Sequence, residues 1–232
     1  MIKKQPTIQT NGQKMIRTDI EKIVRKYISQ TGPYDRYTSF DYCYNYFHTT
    51  NDLNKDIEKS CLTLGFYLAS WGMYRKSFLK DKSVKIFQKT IQYIAKQDKS
   101  VWKIDVDSYN KENIRKIIKI YNGIKKELIP NGKAHQTLVS KVLLGVFGFI
   151  PAFDTYFRNS FRKISEGRCS FSKVDKNSLN CIKEFYDSNR AIIDKLSKET
   201  FTTDFVNRQN LTTNYPKAKI IDMYGFMLEK RK

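Results

Sequence analysis

Histidine and paired cysteine are nearly missing from this sequence of 232 residues. The two histidines, His48 and His135, lie far apart, whereas ligand histidines usually come with nearby carboxylates or thiolates. No two of the four cysteines form a C-x-x-C pair, and none sits near a histidine at zinc-finger spacing. Cys43 and Cys61 fall inside apolar helical patterns, where a free thiol behaves as a small hydrophobe. We therefore expect no metal site, no cofactor, and the reduced cysteines of a cytoplasmic protein.

The glycine-containing signatures of common catalytic sites are absent as well. The chain has no G-x-x-x-x-G-K, no G-x-G-x-x-G and no G-x-S-x-G. Asp105 and Asp107 begin "DVDSYNKEN" like a calcium loop, but the turn glycine and the terminal glutamate are missing. Gly145 and Gly148 have the spacing of a nucleic-acid-clamping G-x-x-G loop, yet the residues between them are apolar. Close packing between helices is the better interpretation of these two glycines.

The sequence also lacks long apolar segments. The N-terminus, "MIKKQPTIQTNGQK", has no apolar stretch typical of a signal peptide. The longest apolar run is shorter than the roughly 20 residues of a membrane-spanning helix. We therefore expect a soluble, cytoplasmic protein that makes no contact with a membrane.

What the sequence has in excess is positive charge. Lys and Arg number 43 against 23 Asp and Glu, a formal net charge of +20. That much charge destabilises a fold through self-repulsion, which a polyanion relieves, and nucleic acid is the first candidate partner. The alternative is a compositional bias, because the chain is also rich in Ile, Asn and Tyr, as AT-rich genomes tend to encode.

Apolar residues recur at spacings of three and four along most of the chain, which predicts amphipathic helices. Thr18 and Glu21 form a T-x-x-E capping box that predicts the start of the first helix. Residues 1–16 are then a flexible polar arm, and residues 17–232 a single domain. Only "SVWKIDVD" alternates weakly, as a strand does. We predict an all-α fold, one globular domain of about eight helices with little or no sheet.

Several helix boundaries are predicted from single residues. Ser108 is expected to cap the helix through "NKENIRKIIKIYNGIKKEL", and Ser178 the helix through "LNCIKEFYDSNRAIIDKLSKE". Pro216 suits the first position of the last helix. The helix after Ser108 has a strongly basic polar face, and we expect four of its lysines to contact a nucleic-acid backbone: Lys116, Lys119, Lys125 and Lys126.

The stretch "LVSKVLLGVFGFIPAFDTYFRNSFRK" is unusual in so polar a chain. Every residue from Val142 to Phe153 is apolar or glycine, with Lys141 just before the run and Asp154 just after it. The run is either a core helix alone or a core helix that holds an amine and a carboxylate in a pocket. Asp154 also stands where it would cap the next helix. We therefore expect Asp154→Asn to keep near-normal stability and to lose only what needs the charge.

The segment "IPAFDTYF" after a buried helix, with a lysine on the approach, resembles the active-site segment of helix-hairpin-helix DNA glycosylases. The resemblance implies that Lys141 and Asp154 flank the target nucleotide. Ile150, Pro151 and Asp154 approximate the family's V/I-P-x-D phrase with one extra residue. The lysine-to-aspartate spacing is shorter than the family's, and its hairpin L-P-G-x-G is absent. Residues 128–132, "LIPNG", stand roughly where that hairpin would be.

A second resemblance covers residues 36–163. The blocks "RYTSFDYCYNYF", "SCLTLGFYLASWGMYRKSFL" and "TLVSKVLLGVFGFIPAFDTYF" look like three blocks of a widespread group of uncharacterised bacterial proteins of similar length. In that group a polar "RGSS" phrase follows the second block, where this chain has Arg75-Lys76-Ser77. The departure argues against a glycine turn at that point, and the group implies no chemistry.

Each of the three blocks sets charged residues beside apolar or aromatic ones. The charged or aromatic members are Arg36, Asp41, Trp71, Arg75, Lys141 and Asp154. Charges beside buried helices must be paired or must serve a site. One interpretation is a set of ion pairs at the edge of the core, such as Arg36 with Asp41 or Asp154. The other is a single ligand pocket with stacking surfaces from Trp71, Tyr42, Tyr44 and Tyr46, which suits a nucleobase or nucleotide.

Two functional hypotheses follow. The first is a nucleic-acid-associated protein whose basic surface holds phosphates and whose aromatic pocket, closed by residues 138–158, holds a base. In an enzyme of this kind Lys141 is the candidate nucleophile or electrostatic stabiliser, and Asp154 the general base or cation stabiliser. A nucleophilic lysine must lose its proton, which apolar surroundings favour. The alternative is a non-enzymatic interaction module, such as a phage-defence or mobile-element accessory protein, whose apolar blocks bind a protein partner.

Overall fold

Ten α-helices account for most of the residues that the computed structural model describes, which are 10–75, 78–129, 135–206 and 210–230. The helices are α1 (Thr10–Ser29), α2 (Ser39–Thr49), α3 (Ile57–Ser70), α4 (Gln88–Ala95), α5 (Lys111–Leu128), α6 (Gln136–Phe147), α7 (Thr155–Ile164), α8 (Lys176–Ser188), α9 (Arg190–Glu199) and α10 (Lys217–Lys230). Four 3-10 helices lie between them, at Arg36–Thr38, Val84–Phe87, Lys99–Lys103 and Val106–Ser108. The all-α prediction is confirmed, and the number of helices is ten rather than about eight.

One extra helix arises because the predicted segment after Ser178 is divided at Asn189. The Asn189 side chain donates a hydrogen bond to the Phe185 carbonyl, at 2.8 Å. A side-chain donor of this kind competes with the helical backbone bonds, and α8 ends one residue earlier. A new helix, α9, starts at the next residue, Arg190.

The two serine caps are misplaced by two or three residues. Asp175 caps α8, and Ser178 forms the second half of its capping box by accepting from the Asp175 N–H at 3.0 Å. Asn110 caps α5, whereas Ser108 belongs to the 3-10 helix Val106–Ser108 and pairs with Asp105. In both cases the serine stands in the third helical position and accepts from the N-cap backbone N–H, as the third residue of a capping box does. Pro216 does directly precede α10, as predicted to within one residue.

Helix α1 begins before the predicted start. It runs from Thr10, so the presumed capping residues Thr18 and Glu21 lie in its interior. The Glu21 carboxylate contacts Arg25 and Lys195 instead. Of the predicted arm, residues 1–9 lie outside the described residues, and residues 10–16 are helical.

A short antiparallel hairpin, β1 (Phe201–Thr203) with β2 (Asn210–Asn214), is the only sheet in the described ranges. Asp41 of α2 holds it, because Asp41 Oδ2 accepts from the Thr203 N–H at 2.9 Å and Oδ1 from the Tyr215 hydroxyl at 2.5 Å. The weakly alternating "SVWKIDVD" is not a strand: it contains two 3-10 helices. Strands this short and polar, rich in Thr and Asn, carry no alternating apolar pattern that would predict them.

Helix α6 lies at the centre of the core. All ten residues from Leu138 to Phe147 are buried, against α2, α3 and α5. A Cβ atom on Gly145 would lie 2.4 Å from the Tyr67 ring, so the glycine permits this close approach, as the packing interpretation predicts. Gly148 ends the helix with φ of 71°, the left-handed conformation that glycine adopts without strain.

Helix α10 closes the other side of the core against α1, α7 and α9. Its first turn is fixed by Asp105, whose carboxylate accepts from the Lys217 N–H at 2.6 Å and the Ala218 N–H at 3.0 Å. In the described part of the chain, none of the helices combines the length and apolarity needed to cross a bilayer.

The buried carboxyl of Asp41 predicts a pH dependence of stability. Burial raises its pKa from 3.8 to about 6. Because the folded state then binds the proton more tightly than the unfolded chain, the stabilisation is present below pH 4 and is lost as the pH rises through about 6. We expect the difference in unfolding free energy between wild type and Asp41→Asn to shrink by about 2 kcal/mol from pH 4 to pH 7.

Urea titrations at several pH values measure this difference. Asp81→Asn, which removes an exposed carboxylate, is the control and should show no such trend. A difference that stays constant or grows with pH would show that Asp41 is charged throughout this range.

Candidate ligand-binding pocket

Five of the predicted site residues line one pocket of about 340 Å³: Arg36, Trp71, Arg75, Lys141 and Asp154. They come from three separate segments of the sequence. The walls are the 3-10 helix Arg36–Thr38, the end of α3, α6, the start of α7 and the second half of α10. The volume lies at the small end of the range for ligand sites in proteins, roughly 300–1,000 Å³.

Lys141 and Asp154 form an ion pair at the bottom of this pocket. The ammonium nitrogen lies 3.0 Å from Asp154 Oδ2, with the lysine side chain 4% and the aspartate side chain 16% exposed. Asp154 is at the same time the cap of α7, because its Oδ1 accepts from the Phe157 N–H at 3.0 Å. One carboxylate therefore serves both roles that the sequence offered as alternatives.

The segment that carries Asp154 is fixed on both sides. The Ala152 N–H donates to Asp222 Oδ1 at 3.0 Å, and the Phe153 N–H donates to the Ser140 hydroxyl at 2.9 Å. The Thr137 hydroxyl donates to the Phe153 carbonyl at 3.1 Å. These bonds position Asp154 before any ligand binds, which is what a preorganised site requires.

A second buried ion pair lies beside the first. Lys219 Nζ is 3.0 Å from Asp222 Oδ2, and both side chains are almost fully buried. The two ammonium groups meet the same ring: Lys141 Nζ lies 4.5 Å and Lys219 Nζ 4.9 Å from the centroid of the Trp71 ring. Lys219 and Asp222 were not among the predicted site residues. The signal was there, because both interrupt the apolar run of α10 as Lys141 and Asp154 flank theirs.

Aromatic rings form the pocket wall around Trp71. Tyr37 lies 4.8 Å from Trp71 between ring centroids, and Phe226 lies 5.8 Å from Tyr37. Tyr156 packs edge-on against Phe226 at 5.1 Å and is 44% exposed. Tyr37, Tyr156 and Phe226 were not predicted to line a site, because each lies among other apolar or aromatic residues of a predicted helix.

The rim of the pocket carries three cations: Arg36, Arg75 and Lys230. Among the described residues none of the three has a carboxylate within ion-pair distance, and Asp154, the one acidic lining residue, already pairs with Lys141. The Arg36 guanidinium donates to the Tyr37 hydroxyl at 2.7 Å. The pocket is therefore positively charged as well as aromatic, a combination that suits an anionic aromatic ligand.

Several predicted site residues lie elsewhere. Asp41 holds the hairpin and, among the described residues, forms no ion pair with Arg36. Asp154 pairs with Lys141 and not with Arg36, so neither proposed edge pair of Arg36 is observed there. Tyr42 donates to the Pro33 carbonyl and packs on Phe205.

Tyr44 and Tyr46 belong to the packing of α2, where Tyr44 stacks on Phe40 and Tyr46 bonds with Ser60. The helical repeat therefore turns the aromatic residues of α2 toward several neighbours and not toward one pocket. The prediction that Tyr42, Tyr44 and Tyr46 stack on the pocket ligand has no support from the pocket walls.

The four lysines predicted to contact a nucleic-acid backbone lie on α5, which contributes no residue to the pocket. Lys116, Lys119 and Lys126 are exposed, and Lys125 is half-buried. Lys116 is partly neutralised by Glu112, 2.7 Å away and one helical turn earlier. Of the predicted hairpin counterpart, Leu128 and Ile129 are buried at the end of α5, and residues 130–132 lie outside the described residues.

No cluster of histidine, cysteine and acidic residues in the described ranges could hold a metal ion. The four cysteines are free and buried. No protein-family model matches the chain, and neither a curated protein nor a solved structure matches it.

The buried pair changes what is expected of Asp154→Asn. The amide keeps the helix cap, but it leaves the Lys141 ammonium buried without a counter-charge, which costs about 3 kcal/mol. Near-normal stability is therefore no longer expected of this variant. The double variant Lys141→Met/Asp154→Asn removes both charges and should recover most of the loss.

Urea unfolding of the four proteins in this double-mutant cycle measures the coupling. The exposed pair Arg168–Glu184, with side chains 60% and 55% exposed, is the matched control. Its cycle, Arg168→Met with Glu184→Gln, should give less than about 1 kcal/mol. Equal coupling free energies in both cycles would show that water reaches the Lys141 ammonium through the pocket.

Proposed function

We propose that this protein binds nucleic acid and holds one nucleotide in the pocket lined by Arg36, Trp71, Arg75, Lys141 and Asp154. The observation that carries the proposal is the pairing of an aromatic wall with three rim cations that lack a carboxylate partner among the described residues. Unopposed cations repel one another, and an anionic ligand removes that repulsion.

The aromatic wall supplies a surface for a base. Tyr156 is 44% exposed, and Tyr37 is half-buried beside it in the lining. Every nucleobase has a flat π face, and stacking on an exposed ring contributes about 1–3 kcal/mol per base. The formal charge of +20 supports a polymer as the partner, because a lone nucleotide neutralises little of it. The basic face of α5 then contributes attraction along the backbone, away from the pocket.

The geometry supports binding better than covalent chemistry. Both oxygens of Asp154 are engaged, one by the Phe157 N–H and one by Lys141. An ammonium in such a pair has no lone pair for attack and must first pass a proton to Asp154. The pair as it stands fixes the lining of the pocket and adds no net charge beside the ligand.

A second candidate function, glycosylase- or lyase-like chemistry on the bound nucleotide, is favoured by the position of the same pair within the lining. Lys141 would serve as nucleophile or electrostatic stabiliser and Asp154 as base or cation stabiliser, as the resemblance to helix-hairpin-helix glycosylases implies. The alternative predicted from the sequence, a non-enzymatic interaction module, would bind its partner without catalysing a reaction.

Binding to fluorescent single-stranded and duplex oligonucleotides, measured by anisotropy, tests the first candidate. We expect affinity to fall about 10³–10⁵-fold between roughly 50 and 200 mM salt, as for 6–10 neutralised phosphates. Arg75→Gln should weaken binding about tenfold, the size of one lost charge-assisted hydrogen bond.

The matched control is Lys176→Gln, which removes one exposed charge on α8, a helix with no lining residue in the pocket. It should lower affinity far less than Arg75→Gln does. Equal effects of the two variants would mean that affinity depends on the total charge of the protein and that the nucleic acid does not occupy the pocket. Salt-insensitive or absent binding would favour a protein partner.

Borohydride trapping separates binding from lysine chemistry. An amine that attacks the aldehyde of an abasic site expels water and forms an imine, which borohydride reduces to a stable cross-link. We expect no cross-link through Lys141, because its ammonium is held by Asp154. A cross-link in wild type that is lost in Lys141→Met would contradict this and assign lyase chemistry to the pair.

A further inference from the structure

We infer that the nucleotide in this pocket is a terminal one that carries a phosphate monoester, and this rests on the proposed function above. Both the 5′ end and the 3′ end of a strand can present the group required, a base next to a terminal phosphate.

The charge of the rim points to a monoester. Arg36, Arg75 and Lys230 face the pocket without a carboxylate partner in the described ranges, and Lys141 is already neutralised by Asp154. A backbone diester carries one negative charge, whereas a monoester carries about −1.5 to −2 near neutral pH and offers three acceptor oxygens. Three unopposed cations in one pocket match the second group better than the first.

The cations adjoin the aromatic wall, so that one nucleotide can contact both. The Arg36 guanidinium carbon lies 4.7 Å and Lys230 Nζ lies 5.5 Å from the centroid of the same Tyr37 ring. Tyr37 in turn packs on Trp71 at 4.8 Å. A base on this wall therefore has its own phosphate within reach of the two cations.

Arg75 follows Trp71 in the turn after α3, and its backbone N–H donates to the Gly72 carbonyl at 3.2 Å. Gly72 has φ of 77°, and a Cβ atom there would lie 3.8 Å from Arg75 Cδ, so the arginine lies across a residue without a side chain. The left-handed glycine follows the end of α3, and the Arg75 side chain packs over its backbone. Arg75 is thereby a lining residue of the same pocket as Arg36 and Lys230.

The small volume of the pocket, about 340 Å³, favours an end over the middle of a strand. Of the lining residues, Lys141 and Phe226 are buried, whereas the three rim cations and Tyr156 are exposed. A nucleotide inside a strand needs an entry and an exit for the backbone. A terminal nucleotide needs one connection only, and its free phosphate remains with the protein.

The test compares short single-stranded DNAs of one sequence that differ only at their ends. One set carries a 5′-phosphate or a 5′-hydroxyl with the dye at the 3′ end, and the other carries a 3′-phosphate or a 3′-hydroxyl with the dye at the 5′ end. We expect one of the two phosphorylated ends to bind about tenfold or more tightly than its hydroxyl counterpart. Arg75→Gln should remove this preference, and Lys176→Gln should preserve it.

The outcomes separate the inference from the proposed function. If all the DNAs bind, Arg75→Gln weakens them, and neither end phosphate matters, the pocket takes an internal nucleotide and the inference is wrong. A preference that persists in Arg75→Gln places the end phosphate outside this pocket and also overturns the inference. If none of the DNAs binds at low salt, the proposed function fails and the inference fails with it.

Discussion

Two lysine ammonium groups, on Lys141 and Lys219, contact the ring of Trp71 in the interior of this protein, and each requires a carboxylate there. The free energy of burying an unpaired ion is several kcal/mol, so Asp154 and Asp222 are confined to the positions that neutralise them. Because Asp154 also caps α7 and Asp222 also accepts from the Ala152 N–H, the two pairs fix α6, α7 and α10 around the end of α3. The pocket lies where these elements reach the protein surface.

The same pairing decides the electrostatics of the pocket. Since Lys141 and Lys219 are neutralised within the core, the positive charge that remains belongs to Arg36, Arg75 and Lys230 on the rim. The rim cations can serve a ligand, while the inner pairs hold the wall in place. A division of this kind explains how one small site combines rigidity with unopposed charge.

Acidic residues are scarce in this chain, 23 against 43 basic ones, and three aspartates, two buried and one half-buried, connect distant segments. Asp41 accepts from the Thr203 N–H, Asp105 from the Lys217 and Ala218 N–H groups, and Asp222 from the Ala152 N–H. Asp41 and Asp105 satisfy backbone donors at the end of β1 and the start of α10, where strands and helices leave such groups unpaired. Asp222 satisfies a donor in the segment between α6 and α7. The contacts of α10 and the anchoring of the hairpin therefore both depend on aspartate side chains that accept from backbone N–H groups.

Local patterns were enough to predict the helical class, the close packing at Gly145 and the capping position of Asp154, because periodicity, glycine geometry and capping depend on residues within a few positions of one another. The sequence by itself also marked Arg36, Trp71, Arg75, Lys141 and Asp154 as charged or aromatic residues beside apolar runs. The predicted set also included Asp41 and Tyr42, which do not line this pocket, and it did not include Lys219, Asp222, Tyr37 or the hairpin. Only the tertiary structure decided which charge pairs with which, since an ion pair depends on distances between segments that the chain order does not contain.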